Sequence, residues 1–181
     1  CPLHGPALTD TIPEVIALYD LWSSYAPEEA GVLLLYGSIY GHTAAAMELL
    51  AAKLTQRGVR TAVYDLSGVH GSYALAEAFR YSHLVLASPT YNAGLFPPVE
   101  ALIRELQAHN LQKRTVALVE NGTWAPVAAK KMAEMFSTMK EMTILSAGVC
   151  IRSALREEQV SEVDALADAL AASVAQTAKE L

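Results

Sequence analysis

One short segment rich in glycine and hydroxyl side chains is the best placed to do chemistry: Tyr36-Gly37-Ser38-Ile39-Tyr40-Gly41-His42-Thr43. It follows a continuously apolar run, typical of a strand buried on both faces, and it precedes an alanine-rich helical pattern. Such a strand–loop–helix corner presents free backbone N–H groups and the positive end of a helix dipole, which suits a phosphate. The segment lacks Lys and Arg, so amides and hydroxyls would bind the anion, with His42 as the only side chain able to carry positive charge.

Two further loops have unusual compositions. The loop from Ser88 to Pro98 contains Pro89, Thr90, Tyr91, Asn92 and Gly94, and the loop from Glu120 to Pro126 contains Asn121, Gly122, Thr123 and Trp124. Each follows a predicted strand, and the carboxyl ends of parallel strands meet at one edge of a sheet, where ligands bind. An anion-binding loop flanked by Tyr91 and Trp124 predicts a site for a phosphorylated planar ring, with stacking contributing on the order of 0.5–1.5 kcal/mol per aromatic pair.

The elements that must position these loops alternate between strand and helix from residue 31 onward. The pattern predicts strands at 31–36, 60–64, 83–87, 115–119 and 142–149, and helices at 43–56, 72–81, 99–108, 127–139 and 157–181. An earlier helix is predicted to begin after an N-cap at Thr11 and to run to Ser24, followed by a short linker. Five strands separated by helices indicate an α/β fold with a doubly wound parallel sheet.

The composition restricts the class of protein. With 181 residues, 52% of them hydrophobic and 18% charged, the chain can bury a core and is not a disordered segment. A net charge of −6 without a basic stripe argues against a nucleic-acid partner. No apolar run approaches the roughly 20 residues that span a bilayer, so no membrane association is expected. Cys1 and Cys150 are too few for a disulfide framework, which agrees with a cytoplasmic location.

Competing motif interpretations fail at particular residues. A Walker loop needs Lys followed by Ser or Thr after its last glycine, and His42-Thr43 stands there instead. The dinucleotide motif needs three glycines at fixed spacing, which Gly37 and Gly41 do not provide. The remaining interpretation is an anion site that works without lysine.

The three loops together resemble the flavin mononucleotide (FMN) loops in the flavodoxin-like domain of flavodiiron proteins, also called A-type flavoproteins. The resemblance is carried by the segment 37–43, by Ser88-Pro89-Thr90-Tyr91-Asn92-Ala93-Gly94-Leu95-Phe96-Pro97, and by Trp124. The opening Cys1-Pro2-Leu3-His4-Gly5-Pro6 looks like the end of that family's metallo-β-lactamase-like domain. The resemblance implies a flavodoxin-like sheet with strand order 2-1-3-4-5 and helices on both faces.

The resemblance also implies a role for each loop. Ser38 to Thr43, including Ile39, Tyr40, Gly41 and His42, would hold the FMN phosphate, with the hydroxyls of Ser38 and Thr43 as donors. Thr90, Tyr91, Asn92 and Gly94 would line the isoalloxazine next to Pro89, and Asn121 to Trp124 would close its other side. Two positions depart from the family: His42 stands where Asn is usual, and Asn121-Gly122-Thr123-Trp124 replaces the commoner Ser-Tyr-Gly-Trp.

At the level of the whole protein, residues 1–30 are expected to be the tail of a diiron domain plus a linker helix, and 31–181 the FMN domain. His4 would be a ligand of a diiron centre that this fragment does not contain. The implied function is electron transfer through FMN, from rubredoxin or a similar donor, to a diiron oxygen or nitric oxide reductase that is a homodimer. Two alternatives stay open: a flavin-free assembly module, and a free-standing FMN-dependent quinone reductase.

Overall fold

The computed structural model describes residues 3–180 and contains six α-helices, six strands and one short 3-10 turn at Glu157–Gln159. The helices are α1 Ile12–Ser24, α2 His42–Gln56, α3 Gly71–Arg80, α4 Pro97–Ala108, α5 Ala128–Phe136 and α6 Val160–Thr177. The strands are β1 Glu29–Tyr36, β2 Thr61–Asp65, β3 Tyr81–Tyr91, β4 Gly94–Leu95, β5 Thr115–Asn121 and β6 Thr143–Ile151.

Five of the strands form a parallel sheet in the order β2-β1-β3-β5-β6. This order confirms the predicted flavodoxin-like sheet, since the predicted fourth and fifth strands correspond to β5 and β6. The order reverses between β1 and β3, and ligands of such sheets bind at that point, beyond the carboxyl ends of the strands.

The sixth strand corrects the prediction of a loop from Ser88 to Pro98. Strand β3 continues to Tyr91, and β4 returns antiparallel to it, with Tyr91 opposite Gly94. Asn92 and Ala93 form the two-residue turn with φ of 48° and 57°, the left-handed pair that a tight hairpin requires. The strand was predicted from an apolar run that ends at Ala87. The residues of the hairpin beyond it are polar and include Pro89, so no local pattern indicated that they are extended.

The central strand β1 is buried on both faces, as predicted from its continuous apolar run. Val32 and Leu34 lie in the cluster with α2 and α6, whereas Leu33 and Leu35 lie in the cluster with α3, α4 and α5. Burying each such side chain contributes about 1.5–3 kcal/mol. The two clusters therefore fix the end of β1, and with it the start of the hydroxyl-rich loop.

The helix ends differ from the predictions by a few residues. Helix α5 ends at Phe136 rather than at residue 139, and α6 ends at Thr177 after the 3-10 turn. Thr11 is the N-cap residue of α1, as predicted, but its side chain makes no capping hydrogen bond. Gly58 follows α2 with a φ of +72°, the left-handed conformation that glycine commonly adopts just past a helix end.

Helix α1 is joined to the sheet at its carboxyl end. Lys113 Nζ donates to Ser24 O at 3.0 Å, and Arg114 Nη1 donates to Tyr25 O at 2.7 Å. Trp22 Nε1 also donates to Glu28 Oε1 at 2.7 Å. The linker from residue 25 to 28 thus packs on the domain that follows it. No helix within residues 3–180 is both long and apolar enough to cross a membrane.

Candidate functional site

The loops after β1, β3 and β5 meet in a cleft of about 320 Å³ at the carboxyl edge of the sheet. Among the predicted site residues, the cleft is lined by Ser38, Ile39, Tyr40, His42, Thr43, Pro89, Thr90, Asn121, Gly122, Thr123 and Trp124. Four others, Gly41, Tyr91, Asn92 and Gly94, belong to the same loops but do not line it. Ser153 lines the cleft without having been predicted.

The hydroxyl-rich loop is shaped by its two glycines. A Cβ on Gly37 would lie 2.5 Å from Phe96 Cδ1, so only glycine lets the end of β1 approach the hairpin this closely. Gly41 has a φ of +85° at the N-cap of α2, a conformation that glycine adopts readily. Ser38 Oγ accepts from Gly41 N at 3.1 Å, which closes the loop on itself. The loop therefore presents the first turn of α2 to the cleft, and that turn contains no acidic residue.

Thr43 and Asn121 connect this loop to the two strands beyond it. Thr43 is only 2% exposed, and its hydroxyl oxygen accepts from Asn121 Nδ2 at 3.3 Å. Because Thr43 accepts in this bond, its own O–H remains able to donate to an anion in the cleft. The Asn121 amide also forms hydrogen bonds with the backbone of Ser153. Asn121 therefore holds Thr43 and Ser153 in position at the cleft.

The loop after β5 is attached to the hairpin. Thr90 Oγ1 accepts from Val127 N at 3.0 Å. A Cβ on Gly122 would lie 3.1 Å from that same Thr90 oxygen, so the two loops are in close contact. Glu120 Oε2 accepts from Ala129 N at 3.0 Å and caps the start of α5. This carboxylate is therefore engaged by the helix and does not line the cleft.

Two aromatic side chains next to the cleft are almost wholly exposed. Trp124 is 97% exposed and Tyr40 is 87% exposed. Tyr91 packs edge-to-face on Phe96, with ring centroids 6.1 Å apart. Exposed aromatic faces beside a polar cleft are suited to stacking on a flat ligand.

Electrostatically the cleft is nearly free of charged side chains. Among residues 3–180, those that line it include no Asp, Glu, Lys or Arg, and His42 is the one lining residue that can become a cation. At the base of the loop, burial raises the pKa of Tyr36, and the nearby carboxylates of Asp65 and Glu48 raise it further. Its phenol is therefore neutral and does not act as an anion beside the cleft.

Ser153 is the site residue that sequence reasoning missed. It has a φ of +67° and follows β6, and the Asn121 side chain holds its backbone in place. The available signal was topological: a loop after the last parallel strand also reaches the carboxyl edge. The chemistry of Arg152-Ser153-Ala154 alone is unremarkable and gave no reason to include it.

The predicted metal ligand His4 lies apart from these loops in sequence and is exposed. Cys1 and Pro2, which belong to the same predicted segment, lie outside the described residues. Within residues 3–180, no group of three or more His, Cys, Asp or Glu side chains is arranged to hold a metal ion.

A parallel sheet with a polar cleft at the point where the strand order reverses defines a doubly wound α/β protein. The sequence model of the flavodoxin family matches residues 34–165, most of the chain, and the chain therefore belongs to the flavodoxin family. Within that family its fold is that of the flavodoxin-like domain in flavodiiron proteins, as the solved structures show.

Rubredoxin oxygen:oxidoreductase from Desulfovibrio gigas has a TM-score of 0.85 at 17% identity, over 92% of this chain and 41% of that one. The flavodiiron protein from Giardia intestinalis has a TM-score of 0.82 at 20% identity, over 93% of this chain and 42% of that one. A flavodoxin from the domain Archaea has a TM-score of 0.69 at 23% identity, over 80% of this chain and 98% of that one.

Among curated sequences, an uncharacterized protein of Methanocaldococcus jannaschii is 25% identical over 163 residues, covering 90% of this chain and 41% of the relative. A second uncharacterized protein from the same organism is 22% identical, covering 90% of this chain and 42% of the relative. The chain thus spans about two fifths of the length of these relatives.

Proposed function

We propose that this chain binds FMN in the cleft at the carboxyl edge and transfers electrons through it. The observation that carries the proposal is the meeting of three predicted loops in one cleft, at the point where the strand order reverses. The cleft fits the group, because it combines hydroxyl donors and the amino end of α2 with the exposed aromatic faces of Tyr40 and Trp124.

Each side of the cleft has a distinct role in this proposal. Ser38, Thr43 and the amides at the start of α2 bind the phosphate, and the buried Thr43 hydroxyl donates to it. The hairpin residues Thr90 to Gly94 and the loop from Asn121 to Trp124 flank the ring. Bound FMN supplies the chemistry of accepting and passing on one or two electrons, and the protein supplies position and electrostatics.

The proposal extends to a longer protein. In it, residues 1–30 are the end of a diiron domain with its linker helix, His4 is an iron ligand, and 31–181 is the FMN domain. The chain's extent supports this, since it spans about two fifths of rubredoxin oxygen:oxidoreductase and of its curated relatives. A rubredoxin-like donor, an oxygen- or nitric oxide-reducing diiron partner, a homodimer and a cytoplasmic location are further parts of the same proposal.

Purification of the chain followed by flavin analysis tests the central claim. We expect a yellow protein absorbing at about 450 nm that releases FMN on denaturation, or an apoprotein that is reconstituted by added FMN. A Trp124→Ala variant should weaken FMN binding by about five- to tenfold through loss of stacking. Tyr19→Ala removes another exposed aromatic, on α1, and should leave the affinity unchanged.

The two alternatives give other results. A colourless chain that cannot be reconstituted with FMN would favour the flavin-free assembly module and overturn the proposal. Steady oxidation of NAD(P)H by the chain alone, with a quinone as acceptor, would favour the free-standing quinone reductase.

A further inference from the structure

We propose that His42 is a binding residue for the ligand's phosphate, acting as an imidazolium that takes up its proton when the phosphate binds. The inference rests on the proposed function, because FMN is the phosphorylated ligand in question. It goes further by assigning the charge of the site to one side chain and by making FMN affinity depend on pH through that side chain.

The position of His42 supports this role. It is the first residue of α2, directly after the left-handed Gly41, and its exposed side chain lines the cleft together with Ser38 and Thr43. Among the described residues it forms no side-chain hydrogen bond and no ion pair, so both ring nitrogens are free to face a ligand. Histidine is the one ordinary side chain that changes its charge between about pH 5 and 8.

Among the described residues that line the cleft, none is an anion that could pair with His42. The first turn of α2 contains no acidic residue, and the loop from 121 to 126 contains no titratable side chain. Tyr40 is the other titratable residue of the cleft lining. Glu120 lies on β5, where its carboxylate accepts from Ala129 N.

It follows that the counter-ion for a protonated His42 must come from the ligand. A bound phosphate favours the imidazolium, because an opposite charge nearby stabilises the charged form. Proton binding and phosphate binding are then linked, and each strengthens the other by the same factor. Riboflavin lacks the phosphate, so its affinity should not depend on the protonation of His42.

The test measures dissociation constants for FMN and for riboflavin by flavin fluorescence at pH 6 and pH 8.5, with wild type and His42→Asn. At pH 6 we expect His42→Asn to weaken FMN binding by about five- to tenfold, and at pH 8.5 by less than about twofold. Comparing the two proteins at one pH cancels the ionisation of the free phosphate. Riboflavin affinity should be the same for both proteins at both pH values.

A matched control is His109→Asn, which makes the same substitution after the end of α4, at the opposite edge of the sheet. It should leave FMN affinity unchanged at both pH values. An equal loss of affinity at pH 6 and pH 8.5 in His42→Asn, or no loss at either, overturns the proposal while leaving FMN binding intact. Failure of wild type to bind FMN at all would instead overturn the proposed function.

Discussion

The side-chain amide of Asn121 binds the backbone of Ser153 on both of its polar groups. Oδ1 accepts from Ser153 N at 3.0 Å, and Nδ2 donates to Ser153 O at 2.9 Å. The same Nδ2 lies 3.3 Å from Thr43 Oγ1. One buried amide therefore joins the end of β5, the loop after β6 and the first turn of α2.

Replacing Asn121 with Ala should destabilise the protein by about 1–2 kcal/mol, because three hydrogen bonds are lost while the exposed Ser153 can be hydrated. FMN affinity should fall as well, since Thr43 and Ser153 both line the cleft. Urea unfolding and FMN titration measure the two effects. Gln176→Ala removes another side-chain amide, bonded to Glu180 at the end of α6, and should change neither quantity. An unaltered FMN affinity in Asn121→Ala would show that the three-way contact does not order the site.

The close packing of Gly37 on Phe96 gives a second prediction. A methyl group at Gly37 would lie 2.5 Å from Phe96 Cδ1 and 3.1 Å from Val99 Cγ2, so Gly37→Ala should cost about 1–3 kcal/mol of stability through overpacking. Urea unfolding measures the cost. Gly71→Ala is the control, because a Cβ there meets nothing within 4 Å, and its stability should equal or slightly exceed that of wild type.

A double variant checks the cause of the Gly37 effect. Adding Phe96→Leu to Gly37→Ala removes the ring that the methyl group would strike, so part of the stability should return. Additive losses in the double variant would mean that the ring is not the obstacle.

The buried imidazole of His83 is expected to make the folded protein less stable in acid. It is buried between Ser82 Oγ at 2.7 Å and Ser173 Oγ at 2.8 Å, and burial lowers its pKa to about 4 from the ordinary value of 6.5. Between those two values the unfolded chain binds a proton that the folded protein does not, so stability falls as the pH falls through this window. The contribution lost between pH 7 and pH 5 should be about 2 kcal/mol.

The measurement compares urea unfolding of wild type and His83→Gln at pH 7 and pH 5. Carboxylates titrate alike in both proteins, so the difference in pH dependence isolates His83. We expect the variant to lose about 2 kcal/mol less than wild type over this range. Parallel pH dependence in the two proteins would show that His83 does not titrate as its burial requires.

The buried guanidinium of Arg114 is expected to hold the carboxyl end of α1 on the sheet. Its donors reach the carbonyl oxygens of Tyr25 at 2.7 Å, Phe79 at 2.7 Å and Ala78 at 3.1 Å, as well as two carbonyls of its own loop. Burial lowers the pKa of Arg114 to about 10, which still leaves it charged at neutral pH. The guanidinium therefore joins the ends of α1 and α3 to the start of β5.

Arg114→Met should cost about 3–5 kcal/mol, because several carbonyl groups lose their donors inside the protein. Arg114→Lys keeps the charge without the planar fork and should recover less than half of that loss. Arg104→Met, at an exposed pair with Glu100, should cost at most about 0.5 kcal/mol. Hydrogen exchange should also speed up in α1 of Arg114→Lys, and unchanged exchange there would contradict the linker role.

The parallel sheet and most of the cleft could be predicted because they depend on local patterns, whereas the strand order was implied by the family resemblance. A continuous apolar run such as Val32 to Leu35 indicates a strand buried on both faces, and glycine with hydroxyl residues after it marks the turn into α2. The edge at which loops meet then follows from the parallel topology alone. Ser38, Thr43 and Trp124 were found in this way.

The remaining features were decided by contacts between residues distant in sequence. The hairpin at Asn92 is polar and carries no alternating pattern, so only its pairing with β4 shows that it is extended. Asn121 looked like a ring contact, yet its partner Ser153 lies 32 residues away and takes up the amide. Arg114 precedes β5 without any local signal of burial, and only the folded chain surrounds it with carbonyl groups. Local sequence thus determined the strands and the loop chemistry, whereas the hydrogen-bond partners depended on which distant segments the fold brings together.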